Sequence, residues 1–191
     1  MAGPYTIATP VKGQQISSAA FGQAVKDAIN DLHTRVAALE TDVDPIVRLV
    51  QSNAPQSLTS GLATPLQFDA ASEIFATPGF HNGVTNNTRI TPNIPGYYEF
   101  HGTASFAVGS SNYVQILAAI AKNGIRQEPQ SVLRPDAGTA ATSSQTVAIL
   151  ASNGTTDYFD LYGGQNSSGA QNTNSTSGMR SCFECIFLRP L

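Results

Sequence analysis

Two stretches of this sequence are apolar on both faces of a strand: residues 113–121, YVQILAAIA, and residues 181–188, SCFECIFL. In an antiparallel sheet one face meets the core, so a second apolar face has to be covered by something else. A neighbouring copy of the same chain is the economical cover. The residues expected at that interface are Tyr113, Leu117, Ile186 and Leu188.

The pattern from about Leu58 onward is β throughout. Tyr98, Phe100, Ala104, Phe106 and Val108 fall on one face of a strand, with Glu99, His101, Thr103 and Ser105 on the other. Further strands are expected at 65–68, 88–91, 113–121, 145–150, 157–162 and 181–188. Asn82-Gly83, Asn123-Gly124, Asn153-Gly154 and Gly163-Gly164 supply turn chemistry between them. Short strands in this number, with no helical period among them, predict a β-sandwich or jelly roll. The head is placed at 61–191, after a linker at 53–60 within QSNAPQSLTSG.

The N-terminal third is different. Residues 1–16 are an irregular leader with Pro4, Pro10 and Gly13. From Ser17 apolar residues fall alternately four and three apart, at Val25, Ile29, Leu32, Val36, Leu39, Val43, Ile46 and Val50. This heptad seam is too narrow for a globular core helix and predicts a coiled-coil stalk over 17–52. Arg35 of one chain and Glu40 of the next stand in the g-to-e′ relation. Such an exposed pair is worth under about 1 kcal/mol and selects register. Each buried seam side chain contributes about 1.5–3 kcal/mol, so the seam dominates. β-branched a positions with leucine at d lean towards a parallel dimer. Asp44-Pro45 predicts a break or kink near 42–45, with Pro45 opening a fresh helical turn. The alternative is a single helix packed back on its own head.

Composition narrows the function. Charged residues are 12% of the 191-residue chain, and net charge is −3. The basic residues are scattered, without the steering field that nucleic acid or an anionic membrane requires. The start MAGPYTIATPVKG lacks the apolar run of a secretory signal, and no stretch approaches eighteen apolar residues. Synthesis in a cytoplasm is therefore expected. The sequons at Asn86, Asn153, Asn166 and Asn174 are read as coincidences of an Asn/Ser/Thr-rich surface.

No constellation for catalysis stands out, and neither an enzyme nor a cofactor is expected. Cys182 and Cys185 spell a C-x-x-C, but strand period two sends their side chains to opposite faces. One is expected to pack in the core and one at an interface. His33, His81 and His101 lack a partnered motif, and the acids of the head are dispersed. No metal is assigned. The segment Gly163–Gly178, GGQNSSGAQNTNSTSG, has no large apolar side chain and is expected to be an exposed loop. Gln165, Asn166, Ser167, Gln171, Asn172 and Asn174 then form a candidate recognition loop for a host-surface glycan. A plain solvated connector is the competing reading.

Gly79-Phe80-His81-Asn82, Thr88-Arg89-Ile90-Thr91-Pro92, Gly96-Tyr97-Tyr98-Glu99-Phe100, Ala121-Lys122-Asn123-Gly124, Asp157-Tyr158-Phe159-Asp160-Leu161 and Ser181-Cys182-Phe183-Glu184-Cys185 follow one another in order. In these residues the chain resembles the complement-type globular head of the tumour-necrosis-factor-like jelly-roll superfamily, over about 58–191. Where that family often has a Gly-Asp turn, this chain has Asn153-Gly154-Thr155-Thr156-Asp157. The resemblance implies a jelly roll that trimerises about a three-fold axis behind a stem, which outweighs the dimer lean of the seam. It also brings to mind apical calcium sites at Asp157 and Asp160, for which solvated or turn-capping carboxylates are the preferred reading.

Pro10-Val11-Lys12-Gly13-Gln14-Gln15-Ile16-Ser17, then Phe21, Val25, Asp27, Ala28 and Leu32, resemble the opening of phage tail-fibre and minor tail proteins, although the usual tryptophan is missing. Together the two resemblances imply a homotrimeric virion protein made in the host cytoplasm, a minor tail protein or short fibre. Residues 1–16 would bind other virion proteins. The alternatives are a capsid-decorating head fibre and a secreted lectin-like or cytokine-like binding module.

Overall fold

Pro45 divides the chain. It has no backbone N–H and cannot continue a helix, while the β-branched Ile46, Val47 and Val50 favour an extended strand. The computed structural model describes residues 18–40, 45–52, 54–107, 115–134 and 142–191, with the side chains of 18–21 and 36–40 set aside. Two units separate, residues 1–43 and 44–191.

In the first unit, helix α1 runs Ser18–Glu40. Val25, Ile29 and Leu32 are exposed along it, as is Arg35. Val36 and Leu39 lie in α1 with side chains outside the described set, as is the side chain of Glu40. Val43 lies outside the described residues.

Among its described residues the second unit holds thirteen strands. In chain order they are β1 (Ile46–Val50), β2 (Ser57–Leu58), β3 (Ala63–Pro65), β4 (Glu73–Ala76), β5 (Arg89–Ile90), β6 (Gly96–Phe106) and β7 (Gln115–Lys122). Then follow β8 (Ile125–Arg126), β9 (Ser131–Leu133), β10 (Thr142–Ser152), β11 (Phe159–Asn166), β12 (Gln171–Asn172) and β13 (Cys182–Pro190). One sheet has the order β10-β6-β13-β1-β4. The second runs β3-β11-β7-β8, with β5 also on β11 and β9 also on β7.

Four expectations change here. Ile46 and Val50 leave the coiled-coil seam, because β1 sits between β13 and β4 and sends Val47 and Leu49 into the core. Helix α1, described over Ser18–Glu40, therefore does not reach 52. The head starts at Asp44 rather than 61, and the 53–60 segment expected as linker contains β2, which pairs with β12. Gly163-Gly164 is no turn: β11 runs through it, and β3 and β7 pair on either side.

The core lies between the sheets. Phe100 on β6 stacks on Phe159 on β11 with ring centroids 4.2 Å apart, and Phe183 and Phe68 extend the cluster. These rings are fully buried, and each contributes about 1.5–3 kcal/mol through lost apolar surface. Tyr98, Phe100, Ala104 and Phe106 alternate inward as period two requires. Gly102 makes the close approach possible: a Cβ there would meet Leu161 Cδ1 at 2.4 Å. The β7–β8 hairpin turns on Asn123 (φ 53°) and Gly124 (φ 79°), the left-handed pair that Asn-Gly supplies.

Candidate functional site

Period two leaves one face of the five-stranded sheet pointing away from the core, and its register can be followed strand by strand. One row across it reads Ile149, Glu99, Ile186, Ile46 on β10, β6, β13 and β1. The next reads Val147, His101, Glu184, Arg48, Phe75, ending on β4, and a third reads Gln145, Thr103, Cys182, Val50. Ile149 is 61% exposed, Phe75 44%, Val147 43%, Ile186 42% and Ile46 37%. Large apolar side chains thus flank a polar middle.

That middle is internally paired. Arg48 Nε lies 3.2 Å from Glu184 Oε1, and His101 Nε2 lies 2.8 Å from Glu99 Oε1. Polar groups that already hold a partner can be desolvated at lower cost than lone ones. Cys182 joins the face half-buried, its thiol pushed up chiefly by burial despite a hydrogen bond with Thr103. Cys185 points into the core, where burial pushes it to about 12. The division of the C-x-x-C pair between two faces is as period two dictates.

The residues expected to share a head interface are not together. Ile186 lies on the face just described, and Leu188 is exposed beside it at a bulge in the β13–β6 ladder. Leu117 is on β7, in the other sheet, and Tyr113 lies outside the described residues. The second face of β7 is closed over its alanines, while Leu117 stays half-buried. Ala119 and Ala121 have no exposed surface, with Tyr162 and Arg126 as register partners. β13 keeps Ile186 and Leu188 exposed where β7 leaves only Leu117 half-buried; the pattern was common to both strands, but their side-chain sizes differ.

The expected recognition loop is largely built into the sandwich. Gln165 is buried and donates through Nε2 to the Leu58 and Gly169 carbonyls, while its Oε1 accepts from Ser167 N–H. Ser167 and Asn174 are buried too, and Gln171 and Asn172 pair with β2. Of the six candidates, Asn166 and Asn172 are exposed and Gln171 is half-buried. Composition misled at Gln165 because backbone carbonyls, rather than solvent, satisfy its amide.

Asp157 is a turn-capping carboxylate. It accepts from Lys122 Nζ (2.9 Å), Asn123 Nδ2 (2.8 Å) and Asn153 N–H (2.9 Å). Burial raises its pKa, but these donors together hold it below the ordinary value. Asp160 is buried rather than solvated; burial raises its pKa against the Thr88 hydroxyl and Arg89. Both ring nitrogens of His81 lie 2.9 Å from carbonyl oxygens, of Arg89 and Phe68, and His33 is exposed on α1. Among the described residues no three His, Cys, Asp or Glu side chains gather as a metal set, and no helix is long and apolar enough to cross a membrane.

No family model matches the chain, and no curated protein does. Among solved structures, murine APRIL at pH 5.0 aligns with a TM-score of 0.54 and 9% identity, covering 76% of this chain and 99% of that one. Eiger TNF from S. frugiperda gives 0.53 and 10%, covering 78% and 94%. The head is a tumour-necrosis-factor-like jelly roll. At such identity the likeness speaks for the fold alone, and it agrees with the superfamily resemblance of residues 58–191.

Proposed function

We propose that this chain is a non-enzymatic virion structural protein whose heads assemble as a homotrimer through the exposed face of the five-stranded sheet. The observation that carries self-assembly is the apolar flank of Ile46, Phe75, Val147, Ile149 and Ile186 around a self-paired polar centre. Clustered apolar side chains of this size mark an interaction surface, and a copy of the same chain presents a matching one. Three-fold symmetry rests on the superfamily resemblance. The exposed stripe of Val25, Ile29 and Leu32 supports a stalk that associates in parallel with the heads.

The virion assignment rests on the tail-fibre-like opening at Pro10–Leu32 and the leader–stalk–head order. Residues 1–16 would dock on other virion proteins, with the head facing outward as a minor tail protein or short fibre, or as a capsid decoration. Neither nucleic acid nor membrane is a partner in this reading. The jelly roll itself favours a second reading, a secreted cytokine-like binding module.

Light scattering on the full chain tests assembly: three chain masses are expected, and a monomer at micromolar concentration overturns it. Immunogold microscopy with antibody against the head tests location. Gold at the tail or on the capsid lattice is expected; unlabelled particles from a producing culture, with antigen free in the medium, favour the secreted module.

A further inference from the structure

The outer side of the second sheet carries a cavity of about 460 Å³, within the roughly 300–1,000 Å³ range of small-molecule sites. Its floor follows one register row, Ala63, Gly164, Leu117, Val132, across β3, β11, β7 and β9. Gly164 leaves the hollow because it has no side chain, and an added Cβ would meet Ala63 Cα at 3.3 Å and Leu117 Cβ at 3.4 Å. Leu62 and Val132, both mostly exposed, form apolar walls. The rim is held in place before any ligand arrives, since Gly61 N–H donates to the Gln165 carbonyl at 2.8 Å and the Gln165 side chain is locked inward.

Polar groups border this hollow at both ends: Gln115 and Asn166, cross-strand partners on β7 and β11, and Arg126 on β8. No Asp or Glu lines it, and among the described residues Arg126 pairs with no carboxylate. The cavity therefore presents one positive charge, two amides that each donate and accept, and apolar walls. We propose that it binds a carboxylate-bearing saccharide unit. Arg126 would take the carboxylate, Gln115 and Asn166 the ring hydroxyls, and Leu62 and Val132 the C–H face. Guanidinium matches carboxylate in planar, paired hydrogen bonds, and amides match neighbouring hydroxyls. The site is on the opposite sheet from the proposed assembly face, so occupancy and assembly are separable.

Calorimetry on the full chain with D-glucuronate and N-acetylneuraminate as probes, and glucose as the neutral control, tests this. Binding of at least one acid is expected, with glucose at least about tenfold weaker and R126Q at least about tenfold weaker for the same acid. Failure of both acids to bind, equal binding of glucose, or undiminished binding by R126Q overturns the proposal. R126Q changes an exposed rim residue and is expected to keep the wild-type molar mass, which separates this result from failure of assembly. Asn166→Ala gives a second readout, weakening acid and neutral sugar together.

Discussion

Ile46 and Ile186 stand directly opposite each other across the β1–β13 ladder, both on the uncovered face of the sheet. The heptad spacing sends the first to a helical stalk, while the second belongs to the head. Their meeting in one row joins the end of the stalk sequence to the surface proposed for assembly. Replacing Ile186 with Glu places a charge in the apolar flank of that surface. Since each apolar side chain buried there contributes about 1.5–3 kcal/mol, and a lone buried charge costs more, I186E is expected to raise the dissociation midpoint at least tenfold. Dilution followed by light scattering reads this. Because Ile186 points away from the core, the melting temperature of dissociated protein should barely move; an unchanged midpoint removes this face from the assembly.

The two cysteines report the same surface without mutation. Cys185 is fully buried, with its thiol pushed to about 12, and is expected to resist a thiol reagent at pH 8 until the protein unfolds. Cys182 is half-buried on the face proposed for assembly. It should react at a measurable rate in dilute protein and more slowly as concentration rises. A Cys182 rate independent of concentration would count against burial of this face between copies.

Period two and Asn-Gly turns made most of the sandwich readable before any coordinates. Tyr98, Phe100, Ala104 and Phe106 face inward as expected, and Asn123-Gly124 turns as expected. The stalk boundary failed because Val43, Ile46 and Val50 continue the four–three spacing, while the strand is signalled only by Pro45 and the β-branched Ile46, Val47 and Val50. Sheet membership was not legible: nothing local in β7 or β13 says that they lie in different layers, so Leu117 was grouped with Ile186. The cavity at Gly164 depends on four strands brought together from distant sequence, which no motif announces. Gln165 was recognised as a polar residue of interest, but its partner Leu58 lies more than a hundred residues away.

Asp157 governs an acid limb of stability. Its folded pKa lies below the ordinary 3.8, because Lys122, Asn123 and Asn153 together outweigh burial. Its contribution is therefore complete above the unfolded pKa and disappears as pH falls through the lower folded value. D157N should cost about 1–3 kcal/mol at pH 7, and the gap to wild type should close as acid protonates the folded carboxylate, below its ordinary range. Asp160 has the opposite sign: burial raises its pKa, so acidification relieves a penalty. D160N keeps an acceptor for the Thr88 hydroxyl and should stay within about 1 kcal/mol of wild type at pH 7. Urea titrations at stepped pH check both, and a constant D157N deficit down to pH 2 contradicts the linkage.

Tyr98 sets an alkaline limb. Burial, with a smaller contribution from Cys185, pushes its phenol from 10.0 to about 12, and its hydroxyl donates to the Ile94 carbonyl at 2.8 Å. The folded state thus prefers the neutral phenol. Its stabilisation is complete below pH 10 and lost between about 10 and 12 as the unfolded chain ionises first. Cys185 adds to the loss from pH 9 upward, the ordinary value of a thiol being 9.0. Y98F removes one hydrogen bond, costing about 1 kcal/mol at pH 7, yet should lose less stability than wild type between pH 10 and 12. Parallel alkaline slopes for the two proteins would place the titration elsewhere.

Because the second unit begins at Asp44, deletion of residues 1–43 removes α1 whole and spares β1. The shortened head is expected to fold, since Val47 and Leu49 still enter the core between the sheets. If stalk and head both contribute to assembly, its trimer should survive but dissociate at higher concentration, and its unfolding should remain concentration-dependent. Deletion to residue 52 removes β1 as well, taking the central partner of β4 and β13 with it. That variant should lose cooperative unfolding altogether, by circular dichroism as well as by light scattering. A head starting at 44 that runs as a monomer at all concentrations would assign assembly to the helix alone; one starting at 53 that melts like the intact chain would mean that β1 is not part of the folded sandwich.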